Sequence, residues 1–74
     1  MIAGTAPPHP RLARMANQIA ASAPDPARSA EQAAAHLRAF WAPRMIADLR
    51  RVAGSDPQAL RADVHRALAL LAEP

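Results

Sequence analysis

Cysteine, lysine and tyrosine are absent from these 74 residues, and glycine and aromatic rings occur twice each. Each gap removes a class of chemistry. Without cysteine there are no disulfides and no thiolate metal sites. With only Gly4 and Gly54, no glycine-rich phosphate-binding loop can be built. No apolar run reaches the roughly 18 residues that a membrane span needs. The opening stretch has neither the basic n-region nor the apolar h-region of a secretory signal. It reads as a disordered lead-in over residues 1–9, and the protein as cytoplasmic. His9, His36 and His65 stand at no paired metal-ligand spacing, and the six acids form no recognisable catalytic arrangement. Catalysis by this chain alone is not expected, and no residue is singled out as catalytic, cofactor-binding or metal-ligating.

The missing lysine also colours the charge. All nine basic residues are arginine, in a chain with 21 alanines, and they give a net charge of +3. They are scattered rather than gathered into a stripe, which favours compositional drift over a nucleic-acid surface. Alanine inflates the hydrophobic fraction while burying little area per side chain. Between Leu12 and Leu71 there are 15 large apolar side chains. A domain of this size rarely reaches more than about 3–5 kcal/mol of net stability without a staple or a partner, so an obligate partner is a serious possibility.

The periodicity predicts an all-α protein, a small bundle of about four short helices in a single domain over residues 10–74. A first helix over 10–21 carries Leu12, Met15, Ala16 and Ile19 as its apolar stripe, with Arg11, Arg14 and Gln18 elsewhere. Ala23-Pro24-Asp25-Pro26 breaks the chain. A second helix over 26–41 starts on either of two signals: Asp25 as cap with Pro26 behind it, or Ser29 with Gln32 as a capping box. Pro43 cannot donate to the carbonyl of residue 39 and biases Ala42 away from helical dihedrals, so the helix stops or kinks there. A third helix over 43–53 has Met45, Ile46, Leu49 and Val52 on one side, an Arg44–Asp48 pair on another, and Gly54 as a left-handed stop. Asp56-Pro57 opens a fourth over 57–72, striped by Leu60, Val64, Leu68 and Leu71, with Leu70 off the stripe.

Two stretches stand out as candidate contact surfaces. Arg14-Met15-Ala16-Asn17-Gln18-Ile19 places adjacent amides in mid-helix, where they are either solvated or bonded to a partner backbone. Phe40-Trp41-Ala42-Pro43-Arg44-Met45 places the only two aromatic rings beside the helix-breaking proline. Adjacent helical residues point about 100° apart, so one ring, Phe40, is expected to join Leu37 in the core. Trp41 is then left for the bend or a partner. Arg44 is placed to stack on a ring or fork to a carboxylate.

These two motifs, with His36-Leu37-Arg38 ahead of the second, resemble the delta subunit of NAD-dependent, molybdenum-containing formate dehydrogenases. The firm similarity covers about residues 12–53, and the fourth helix more loosely. The resemblance implies a non-catalytic accessory subunit that docks on, and stabilises or helps assemble, the catalytic alpha subunit. It implies bis-molybdopterin guanine dinucleotide, iron–sulfur clusters, FMN and NAD in the alpha, beta and gamma subunits, and none in this chain. The interface expected on this basis is Arg14, Met15, Asn17, Gln18, Phe40, Trp41, Pro43, Arg44 and Met45, with no nucleic-acid or membrane partner. The sequence departs from the family at Ala20-Ala21-Ser22-Ala23, where aromatics are usual, and at Ile46, where a basic residue often stands. It departs again at Ala42, where an acid would cap the third helix. A small Arg-rich nucleic-acid-binding protein and a self-associating bundle are the competing expectations.

Overall fold

Four of the chain's prolines stand at the start of a helix or helical turn. This is the position where the missing N–H has no intrahelical acceptor to lose. The computed structural model describes residues 9–72. Its helices are α1 (Pro10–Ala21), α2 (Ser29–Phe40), α3 (Pro43–Ser55) and α4 (Ala62–Ala72), with single 3₁₀ turns at Pro26–Arg28 and Pro57–Ala59. No strand occurs among the described residues. Of the lead-in expected over residues 1–9, residues 1–8 lie outside them, as do residues 73–74. His9, assigned to that lead-in from the sequence, is the N-cap of α1 in the left-handed region, at φ 53°. Its carbonyl accepts from the N–H groups of Leu12 and Ala13 at 3.0 and 3.2 Å. Its Nε2 lies 3.6 Å from Asp48 Oδ1, and this contact replaces the expected Arg44–Asp48 pair.

The core is built on small residues. α1 turns Ala13, Ala16 and Ala20 inward, while Leu12 and Ile19 are only half-buried and Met15 is exposed. The stripe expected from the large side chains is therefore displaced by one position. Alanine lets a neighbouring backbone come close, and the bulky residues line the edges of that contact. α2 repeats the pattern with Ala30, Ala33 and Ala34, and its most extensive packing is against α4. Leu37, Leu49, Val52 and Val64 are the largest fully buried side chains, one or two from each of α2, α3 and α4. Leu70, placed off the stripe by periodicity, is half-buried and packs against the core edge.

Several helix ends differ from the sequence expectation, each for a local reason. Gly54 is not a left-handed stop: no described glycine has a positive φ, and α3 runs through it to Ser55. The helix ends because Asp56, preceding Pro57, is pushed out to φ −145°, ψ 70°. Asp56 makes no side-chain cap, whereas Asp25 Oδ1 accepts from Ala27 N–H at 3.1 Å. The second half of the expected capping box is redirected, with Gln32 Oε1 accepting from the Asp25 N–H at 3.2 Å. Ser29 is buried and donates instead to Asp63 Oδ2 at 2.8 Å, tying the start of α2 to the start of α4.

Asp63 is the centre of that junction. Arg61 donates to it through Nε at 3.0 Å and Nη2 at 3.2 Å, and Asp63 sits in the first turn of α4, where the helix dipole favours an anion. The Arg61 hydrogen bonds hold its carboxyl below the usual aspartate range, against a smaller opposing effect of burial and with help from Ser29. Folding thus favours the ionised form. The stabilisation is fully present above the unfolded aspartate pKa of about 3.9 and is lost as pH falls through the lower folded value. Urea midpoints measured from pH 7 to pH 3 should show the chain exceeding Asp63→Asn in stability at neutral pH, with the gap closing below about pH 4. A gap that stays constant would mean that Asp63 contributes nothing through its charge.

Candidate functional site

α2 ends at a two-residue break. Trp41 and Ala42 both take extended dihedrals, at φ −94°, ψ 138° and φ −66°, ψ 149°, and α3 resumes at Pro43. The Trp41 N–H donates the last bond of α2, to Leu37 O at 2.9 Å. Met45 and Ile46 N–H groups bond the Ala42 carbonyl at 2.9 and 3.2 Å, but no side chain caps α3, as expected of alanine at this position.

The two aromatic rings exchange the places expected of them. Trp41 is 8% exposed and belongs to the core cluster, while Phe40 is 75% exposed. The reason lies in the spacing along α2. Ala30, Ala34, Leu37 and position 41 follow each other at steps of four, three and four residues, so Trp41 continues the buried stripe. Phe40 continues a neighbouring row and lies against His36 one turn earlier, with ring centroids 4.8 Å apart and planes tilted by 46°. The polar residue at His36 was the sequence signal for this arrangement.

Much of the first motif then meets the second. Arg14, Met15, Gln18 and Ile19 of α1 and His36 of α2 line an open depression of about 480 Å³, with the edge of Trp41 in its wall. Met15 is 39% exposed there. Gln18 donates to Ser22 Oγ at 2.9 Å within its own helix and stays accessible. Pro43 lies on the other side of Trp41, in a second depression with Arg38, Ile46 and Leu71. Arg44 is exposed and in neither depression, and among the described residues it forms no ion pair and no stack on a ring. Met45 is half-buried against the core.

Asn17 points elsewhere. Its Nδ2 donates to Ala59 O at 2.8 Å and its Oδ1 accepts from the Arg61 N–H at 2.9 Å, so one side chain clasps both edges of the α3–α4 connection. Both functions of the amide are used inside the chain. His65 Nε2 donates to Pro57 O at 2.8 Å and braces the same connection. Sequence reasoning missed Ser29, Arg61, Asp63 and His65 as polar ties. Ser29 meets Asp63 across 34 residues and the Arg61 N–H meets Asn17 across 44, separations that leave no local pattern. The shorter Arg61–Asp63 and His65–Pro57 ties match no standard capping spacing.

Residues 11–68 match the family model described as NADH-dependant formate dehydrogenase delta subunit FdsD. The chain belongs to that family. No curated protein and no solved structure matches it. The matched span takes in the depression, the break at residues 41–42 and the Asn17 clasp, so the delta-subunit family is represented by the whole arrangement rather than by one motif. Among the described residues of this delta-subunit chain, no group of three or more His, Cys, Asp or Glu side chains is placed to hold a metal ion. No helix of the described residues is long and apolar enough to cross a membrane.

Two pairs of substitutions separate structural from exposed roles. Asn17→Ala removes both clasp bonds and should cost about 1–3 kcal/mol, a fall of roughly 5–20 °C in Tm for a domain this small. Gln18→Ala should leave Tm nearly unchanged. Truncating a buried tryptophan costs about 3–5 kcal/mol, comparable to the roughly 3–5 kcal/mol that a core of this size supplies. Trp41→Ala should therefore abolish cooperative thermal unfolding, while Phe40→Ala keeps it.

Proposed function

We propose that this chain is a non-catalytic accessory subunit of a cytoplasmic, NAD-dependent molybdenum formate dehydrogenase. It docks on the alpha subunit and stabilises that subunit or helps it assemble. On this reading the molybdopterin, iron–sulfur, flavin and nicotinamide chemistry belongs to the alpha, beta and gamma subunits.

The observation that carries the reading is the exposed Phe40, tilted against His36, beside a largely apolar depression between α1 and α2, in a chain of the delta-subunit family. A phenylalanine three-quarters in water gains nothing for the fold. Packed into a partner it contributes on the order of 2 kcal/mol. Arg14, Met15, Gln18, Phe40 and Arg44 supply the contact on this reading. Trp41 and Met45 support it from beneath, Pro43 holds the break from the exposed start of α3, and Asn17 fixes α1 to the rest of the chain.

The test is native mass measurement on the tagged chain co-expressed with the alpha, beta and gamma subunits of its formate dehydrogenase. One large assembly containing the chain is expected. Phe40→Ser should lower the retained fraction by roughly 10-fold or more, the scale of an interface hot spot, while keeping the chain's own melting transition. Recovery of the chain alone, or only as a homo-oligomer, would reject the proposal.

A further inference from the structure

Trp41 stands between two apolar depressions. Arg14, Met15, Ile19 and His36 lie on one side, and Arg38, Arg50, Ile46 and Leu71 on the other. Each contains guanidinium, and neither is lined by a carboxylate of the described residues. Arg50 is already committed, its Nη1 donating to Leu68 O at 3.1 Å. Arg14 and Arg38 are exposed and take no part in the side-chain contacts of basic groups to acids among the described residues, which are His9 with Asp48 and Arg61 with Asp63. Of the described acids, Asp25, Asp48 and Asp63 are engaged elsewhere, and Glu31 and Asp56 line neither depression.

An occupant that covers these depressions also removes water from Arg14 and Arg38. Covering a cation without supplying an acceptor costs several kcal/mol, so a stable occupant brings its own carboxylates. A guanidinium favours a carboxylate because its planar fork matches the two oxygens. A second copy of this chain, meeting the face symmetrically, would bring the same arginines against each other. Nucleic acid would leave the apolar walls uncovered.

We infer that the face centred on Trp41 receives a protein segment bearing a large apolar side chain flanked by Asp or Glu. Its carboxylates meet Arg14 on one side of the tryptophan and Arg38 on the other. The inference rests on the docking reading above and narrows it to the chemistry of the partner segment: acidic, apolar and contributed by another protein.

The experiment compares binding of the full chain to the formate dehydrogenase alpha subunit in three forms: unsubstituted, Arg14→Glu/Arg38→Glu, and Arg28→Glu/Arg51→Glu. The last pair carries the same charge change on exposed arginines outside both depressions. The first pair should weaken binding roughly 30-fold or more, as loss of close interfacial charge pairs does, and the second by no more than about threefold. Arg14→Gln/Arg38→Gln, which adds no repulsion, should weaken it in the same direction with an unchanged melting temperature. Affinity of the unsubstituted chain should fall with added salt more steeply than that of the neutral pair. Equal binding by the unsubstituted chain and the Arg14/Arg38 reversal overturns this inference and leaves the docking reading standing. Equal weakening by both reversals overturns it too, since general charge is then responsible. Failure of the unsubstituted chain to bind, or retention on nucleic acid instead, overturns both.

Discussion

A proline nitrogen with no hydrogen to donate sets the geometry of this chain. Pro43 cannot continue α2, and it holds Ala42 in extended dihedrals, so the helix gives way at Trp41. The indole, carried on the buried stripe of α2, closes the core at the break, while Phe40 is left on the last turn facing water. Without the break α2 and α3 would be one long helix, and Leu49 and Val52, both fully buried, could not fold back onto α1 and the α3–α4 connection. At the break Trp41 therefore completes the core while Phe40 is left on the candidate docking face.

A core made largely of alanine needs help from directional bonds. The inward faces of α1 and α2 are mostly alanine, which permits close approach but removes little area from water. The connection between α3 and α4 is held by polar groups instead, with Asn17 gripping Ala59 and Arg61, His65 gripping Pro57, and Ser29 and Arg61 converging on Asp63. Hydrogen bonds are sensitive to angle and distance where apolar contact is not, so these ties select one arrangement of α1 and α4 among several that alanine packing would tolerate. The helix that carries the candidate contact residues is thereby fixed to the far end of the fold.

This division of labour bears on the proposed docking. A small chain of modest intrinsic stability gains from any partner that binds only its folded form. The family assignment makes this chain a formate dehydrogenase subunit, and the docking proposal places the contact on a face where apolar groups and exposed arginines lie together. Trp41 and Asn17, conspicuous as contact candidates in sequence, serve that face from within.

Local sequence determined the all-α class, the sites of the breaks and the family. These follow from apolar period, from prolines that cannot donate, and from short motifs read along the chain. Asp25 with Pro26 and the break before Pro43 were legible because a cap or a missing N–H acts within four residues. Tertiary structure decided which of two adjacent rings is buried, which face of α1 turns inward, and where the polar side chains spend their hydrogen bonds. Phe40 and Trp41 differ in their rotation about the axis of α2. Trp41 continues the row of Ala30, Ala34 and Leu37, and because that row is mostly alanine, only the packing of α1 and α4 against it marks it as the buried one. Asn17 likewise has no partner within its own helix: its two bonds are made 42 and 44 residues away, where only the assembled bundle brings Ala59 and Arg61 within reach.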